Sequence, residues 1–200
     1  MEDFFVIIRE AQPADAPQIA PLMNLIYDEM ELTDLEDVPE PDLLQAITAA
    51  YRTRTYLSGA ATTVVAEANG QVVGVAFGYP GEREDIVDDV FAQITAKSDA
   101  FDAPLEAESE TTKGEWYLDS LAVSPDHQGK GIGHQLLQAL PYYARRDHQA
   151  VIGLNVDLEN PAAMRLYERM GYEVSGKQMI GDHHYYHMQL EIGQRAKVAN

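Results

Sequence analysis

Residues 4–8, Phe-Phe-Val-Ile-Ile, are an unbroken apolar run between acids and Arg9, and predict a first strand. Ile19, Leu22, Met23, Ile26, Tyr27 and Met30 then recur at i, i+3, i+4, i+7, i+8 and i+11, one face of an amphipathic helix beginning at Asp15. Residues 42–54 predict a second helix. The β-prone stretches 62–66 and 72–77 flank Asn69-Gly70, a pair suited to the positive φ of a tight hairpin turn. From 82 to 112 the chain turns acidic. Ile86, Val90, Phe91 and Ile94 keep helical spacing there, and 99–112 reads as a long loop in a solvated insertion. Residues 115–123 predict a strand, and a glycine-rich turn leads into a helix with Ile132, Leu136, Leu137, Leu140 and Tyr143 on one face. A strand at 150–156, a helix at 160–170 closed by Gly171, and strands at 172–180 and 185–192 joined through Gly181-Asp182 complete the chain. This order predicts an α/β fold of the α+β kind, with a mixed, mostly antiparallel central sheet flanked by helices.

Composition narrows what such a domain can do. The 200 residues carry 14 basic and 33 acidic side chains, a formal charge of −19, with 46% hydrophobic residues, enough for one domain with a sizeable core. The negative field excludes nucleic acid and anionic membrane as expected partners and favours a cationic small molecule or a basic peptide. There is no cysteine, which removes disulfides, thiolate metal sites and cysteine nucleophiles. The short first apolar run follows acids rather than a basic start, and no window nears the ~20 apolar residues of a bilayer span. A cytoplasmic protein is expected.

The turn Gln128-Gly129-Lys130-Gly131-Ile132-Gly133 is the most informative segment. Between a strand and a helix, free backbone N–H groups and the helix dipole attract anions, and glycine lets the backbone approach phosphate closely. A Walker A loop is excluded because no Ser or Thr follows Lys130. A dinucleotide fingerprint is excluded because His134 or Leu136 stands where the third small residue belongs. A merely structural turn is the alternative reading of this short motif alone.

The segment YLDSLAVSPDHQGKGIGHQLL, residues 117–137, resembles the acetyl-CoA signature of the GNAT family of N-acetyltransferases. NPAAMRLYERMGY, residues 160–172, is similar to that family's N-x-x-A-x-x-L-Y-x-x-x-G-[F/Y] pattern and follows at the usual order and distance. The resemblance implies a GNAT-like sheet whose fourth and fifth strands splay. It also implies acetyl-CoA as cofactor, with CoA as product, and acetyl transfer to an amine. The acidic segment 82–112 departs from the family's minimal pattern and leaves the acceptor undetermined.

Carried over residue by residue, the resemblance implies pyrophosphate on the backbone of Gln128, Gly129, Lys130, Gly131, Ile132 and Gly133. It implies a pantetheine arm along Leu121, Ala122 and Val123, bonded to backbone at Leu121 and Val123, and contact with Asn160. Asn160 followed by Pro161 is also a good helix N-cap, and the two roles can coexist. Tyr167 matches the frequent general acid, since a phenol can return a proton to a leaving thiolate, while a packed aromatic beside Leu166 and Met170 is the plainer reading. Glu115, Tyr117 and Asp119 alternate onto one strand face. Asp119 is the first candidate base for the amine and Glu115 the second, beside solvated carboxylates with a water chain as the base. No metal site is expected: His183 and His187 stand about 13 Å apart on a strand. Small amines, basic peptides and a homodimer are the partners compatible with this reading. The competing function is a non-catalytic acyl-CoA-binding regulatory domain of the same fold.

Overall fold

A computed structural model describes residues 5–30, 35, 37–101, 109–181 and 183–193. Seven strands form one sheet: β1 (Ile7–Glu10), β2 (Thr62–Ala68), β3 (Gln71–Pro80), β4 (Trp116–Val123), β5 (Val151–Asp157), β6 (Glu173–Ile180) and β7 (His183–Glu191), in the order β1-β2-β3-β4-β5-β7-β6. Every neighbouring pair is antiparallel except β4 with β5. Six helices flank it: α1 (Ala16–Met30), α2 (Glu40–Ala50), α3 (Arg54–Ser58), α4 (Glu84–Thr95), α5 (Ile132–Arg146) and α6 (Pro161–Arg169). The mixed architecture read from the hydrophobic pattern is therefore present, with helices on both faces. No helix among the described residues is long and apolar enough to cross a membrane.

Two apolar layers separate along the alternation of the strands. Val65, Val75, Phe77, Tyr79 and Tyr117 face α1 to α4, where Ile19, Met23 and Ile47 are buried. Val64, Val73, Trp116, Leu118, Ile152 and Leu154 face α5 and α6 over Ile132, Leu136, Leu137 and Leu140. Trp116 has no exposed surface, and its indole N–H donates to Asp147 at 3.1 Å, which satisfies the polar end of a buried ring.

Local boundaries differ from the sequence expectation where capping chemistry decides them. The expected helix over 42–54 divides in two, because Thr53 caps α3: its hydroxyl accepts from Tyr56 N–H at 3.3 Å. The first strand runs later than expected, from Ile7 to Glu10, so Arg9 can pair with Asp15 and Glu67 at 2.7 and 2.8 Å. The helix expected in the acidic segment is α4. Of the expected loop, 102–108 lie outside the described residues, as does Asp182 of the last hairpin.

Two irregularities of β4 prepare a site. Parallel pairing with β5 stops after Tyr117↔Gly153 and Leu118↔Leu154, while β5 continues on β7 and β4 on β3. The strands therefore part beyond Leu118, as the resemblance implied. On the other side, Phe77 pairs with Ser120 and Gly78 with Leu118, so Asp119 is an extra residue in a β-bulge. The bulge changes the phase of the strand: Tyr117 faces the α1 layer, whereas Leu121 and Val123 pack with α5 and α6 and Ala122 returns to the α1 layer.

Candidate active site

The gap between β4 and β5 opens into a cavity of about 400 Å³. Its walls come from α1 (Ile26, Glu29, Met30), β4 (Tyr117, Asp119, Ser120, Leu121), β5 (Asn155, Asp157) and α6 (Ala163, Tyr167), together with Glu110, Asn160, His183 and Tyr185. Glu29, Glu110, Asp119, Asp157 and Glu159 make it an acidic recess.

At one end lies the glycine-rich turn. Gly129 and Gly131 have φ of +73° and +79°, and Gly131 is the N-cap of α5 without any side chain to cap it. No atom lies within 4 Å of where a Cβ would stand at either, so the glycines serve backbone conformation and an open approach rather than close packing. The first amides of α5 have no intrahelical acceptor. The Gln128 side-chain amide donates to the Val123 carbonyl at 3.1 Å and ties the turn to the end of β4. Lys130 donates to the Asp126 carbonyl at 2.9 Å, so its ammonium lies over the turn. Gly133 meets α6, where a Cβ would come within 3.4 Å of Leu166. Ile132 is buried in the α5 core.

Between turn and cavity, Leu121, Ala122 and Val123 pair with β3 on one edge, and beyond Leu118 their other edge has no strand partner among the described residues. Extended backbone with one unpaired edge is what an amide-rich ligand can join as an added strand. Asn160 caps α6, accepting from Ala163 N–H at 3.0 Å, and also lines the cavity, so both readings of that residue are geometrically open. These features fit a ligand with a phosphate end on the turn and an amide arm in the gap.

Tyr167 projects from α6 into the wall, only 9% exposed, its ring edge-on to Tyr172 at 5.8 Å. Burial, and secondarily Glu29, pushes its phenol up to about 12, so the hydroxyl keeps its proton as a donor. Asp119 reaches the cavity and is open to its solvent. It accepts from Tyr79 O–H at 3.1 Å and Ser120 O–H at 2.6 Å. The protein packed around it drives its carboxyl above the ordinary range, against those two hydrogen bonds.

Glu115 is placed otherwise. It is 1% exposed, does not line the cavity, and accepts from Thr112 N–H at 2.9 Å, His187 Nε2 at 3.1 Å and Gln189 Nε2 at 2.9 Å. It connects to the cavity only through other residues: His187 Nδ1 bonds Asn155 Oδ1 at 2.8 Å, and Asn155 Nδ2 donates to Tyr117 O–H at 2.9 Å. His183 and His187, far apart in the sequence reading, take separate partners, Asp157 at 3.0 Å and Glu115.

Several wall residues were not singled out from the sequence: Glu110, Asn155, Asp157 and Tyr185. Glu110 sits in the acidic segment, where nothing distinguishes it from its acidic neighbours. Its carboxylate accepts from Tyr117 O–H at 2.7 Å. Burial, then the charge of Asp119, raises it to about 7, and Asp88 on α4 rises to about 7 for the same two causes.

A family model described as Acetyltransferase (GNAT) family matches residues 23–172. The chain belongs to the GNAT acetyltransferase family. A solved structure described as an acetyltransferase superposes on this GNAT chain with a TM-score of 0.81 and 38% identity, covering 94% of this chain and all of that one. A putative acetyltransferase from Salmonella typhimurium with its cofactor acetyl-CoA superposes with a TM-score of 0.60 and 25% identity, covering 96% of each. In sequence, the GNAT chain is 41% identical over 58 residues to the L-methionine sulfoximine/L-methionine sulfone acetyltransferase of Pseudomonas aeruginosa, 29% of this chain and 34% of that protein. The chain spans less than half the length of the curated relatives it matches.

Proposed function

We propose that this protein transfers the acetyl group of acetyl-CoA to a primary amine on a small cationic molecule or peptide, by direct attack in a ternary complex. The observation that carries the reading is the acidic cavity lying between the β4–β5 gap, with its glycine turn, and the phenol of Tyr167. When bound, acetyl-CoA supplies an activated thioester carbonyl. The amides at the start of α5, from Gln128 to Gly133, hold its phosphates, and the free edge of Leu121 to Val123 holds its amide arm, with Asn160 beside it. Asp119, Glu29 and Asp157 attract the acceptor as an ammonium and hold it facing the gap. Tyr167 would donate its hydrogen bond to the sulfur as the C–S bond breaks and deliver the proton that makes the thiol, and the proton that the attacking nitrogen loses as the amide forms would restore the phenol. The burial that raises the phenol acts on a thiolate in the same pocket in the same sense, which keeps the two proton affinities near each other. With no cysteine in the chain, no acetyl-thiol intermediate on the protein is available.

The test is thiol release from acetyl-CoA in the presence of spermidine, a lysine-rich peptide or methionine sulfone, whose carboxylate the acidic wall disfavours. Tyr167→Phe should lower turnover by roughly 10²-fold or more with acetyl-CoA affinity within twofold. Unchanged turnover would remove Tyr167 from the chemistry. Binding of acetyl-CoA with transfer to none of these amines would favour the regulatory-domain alternative.

A further inference from the structure

Residues 109–111, ahead of β4, are gathered around one side chain. Glu84, in the first turn of α4 and 8% exposed, accepts from Ser109 O–H at 2.7 Å, Glu110 N–H at 2.7 Å, Thr111 N–H at 3.1 Å and Thr111 O–H at 3.0 Å. Glu110 between them is held at its other end as well: its carbonyl accepts from Asn155 Nδ2 at 3.1 Å and Gln178 Nε2 at 3.2 Å. Its carboxylate Oε2 takes Tyr117 O–H, and the group lines the cavity. A buried carboxylate spending all its hydrogen bonds on a neighbouring loop is a costly arrangement that fixes position. What it fixes is a second carboxylate aimed into the recess.

We propose that Glu110 is the catalytic residue that takes the proton from the acceptor's ammonium, with Glu84 as its positioning residue. The inference rests on the acetyl-transfer reading above. In the step, one N–H bond of the ammonium breaks and its electron pair stays on nitrogen as the attacking lone pair. The proton forms an O–H bond on Glu110, so ammonium and carboxylate become neutral amine and carboxylic acid. Geometry prefers Glu110 to Asp119. Both oxygens of Asp119 already accept, from Tyr79 and Ser120, whereas among the described residues Oε1 of Glu110 takes no hydrogen bond. The ionisable groups acting electrostatically on Glu110 include Tyr27 of α1, Glu84 and Asp88 of α4, Tyr79 of β3, Tyr117 and Asp119 of β4 and Tyr185 of β7, with no lysine or arginine among them, while His183 on the same cavity wall is paired with Asp157. Such surroundings favour a proton on the carboxyl, and an arriving ammonium supplies it.

Behind Glu110 the hydrogen bonds run in one sense. Asn155 gives both N–H donors, to the Glu110 carbonyl and the Tyr117 hydroxyl, so its oxygen faces His187 Nδ1, which must therefore carry hydrogen. His187 Nε2 faces the Glu115 carboxylate, and one proton must lie between them. The buried His187–Glu115 pair thus orders Asn155, and Asn155 orders Tyr117 and Glu110.

The experiment follows transfer from acetyl-CoA to spermidine between about pH 5.5 and 9 in the wild type, Glu110→Gln and Tyr117→Phe, with calorimetric acetyl-CoA affinity alongside. The wild type should show kcat/KM rising through a midpoint near 7. Glu110→Gln should lose that limb and at least ~100-fold in kcat at neutral pH, recovering only toward the amine's own pKa near 10, with acetyl-CoA affinity within twofold. Tyr117→Phe removes a hydrogen bond that favours the charged carboxylate, so it should move the limb to higher pH rather than abolish it. Glu84→Gln should lower kcat with acetyl-CoA affinity unchanged. Glu110→Gln retaining both limb and turnover would overturn the assignment. A ¹³C carboxyl titration of Glu110 in the free protein decides it without an acceptor: a midpoint near 7 supports the role, and one in the ordinary carboxylate range overturns it. Failure to bind acetyl-CoA would instead overturn the acetyl-transfer reading itself.

Discussion

Gly153 and Glu115 form a pair whose coupling is open to direct measurement. A Cβ at Gly153 of β5 would fall on the Glu115 carboxylate, which lies flat against the glycine backbone while holding Thr112, His187 and Gln189. Gly153→Ala must therefore displace a buried carboxylate that has no free space, an overpacking cost of about 1–3 kcal/mol. Glu115→Ala removes the shared partner of Thr112, His187 and Gln189 and leaves His187, 7% exposed, without its counter-group, at about 3–5 kcal/mol. In the double variant the new methyl occupies space the carboxylate vacated. The Gly153→Ala penalty should vanish there or reverse by up to ~1 kcal/mol, because alanine restricts the unfolded chain more than glycine. A coupling of about 1–4 kcal/mol follows. Urea unfolding of the four proteins measures it, and each kcal/mol corresponds to roughly 2–4 °C in Tm for a chain of this size. Penalties that add to within about 0.5 kcal/mol would refute the placement of Glu115 against Gly153.

Two further outcomes follow from the geometry. Gly131→Ala forces a φ of +79° on a residue with a side chain, about 1–2 kcal/mol of strain, and should weaken acetyl-CoA binding by roughly tenfold while lowering Tm only a few degrees; unchanged affinity in calorimetry would separate the turn from the cofactor. Asp88 is raised to about 7, chiefly by burial and then by Asp119, against about 4 in the unfolded chain. Between those values the folded protein holds a proton that the unfolded chain has released, so stability falls as pH rises through this window and the penalty is complete above it. Asp88→Asn should therefore flatten the decline of Tm between pH 5 and 8 and be the more stable protein at pH 8, and an unchanged decline would contradict the assignment.

The parts of the site visible in the sequence are those made of contiguous residues. The turn from Gln128 to Gly133 and the helix start at Asn160-Pro161 are local devices, with glycine, cap and proline at fixed offsets, and they stand where the pattern placed them. The hairpin about Asn69-Gly70 is similar, with φ of +52° and +78° at those residues. What the sequence hides is assembled at long range. Glu110 meets Tyr117, Asn155 and Gln178 from three separate strands, and no periodicity marks it among the acids around it. The alternation that grouped Glu115 with Tyr117 and Asp119 is correct for direction but blind to depth. Glu115 precedes β4 and sinks against Gly153, while Asp119 is lifted into the cavity by a bulge that exists only because β3 and β4 differ by one residue there. The tyrosines, unremarkable in composition, form a row of ring contacts from Tyr56 through Phe77 and Tyr79 to Tyr117, joining the α1–α4 core to the cavity wall.

The central claim, that the turn and the β4–β5 gap hold acetyl-CoA, is tested most directly by calorimetric titration of the purified protein with acetyl-CoA alone. The structure predicts saturable one-site binding. No heat of binding up to about 1 mM, an affinity weaker than about 4 kcal/mol, would contradict it.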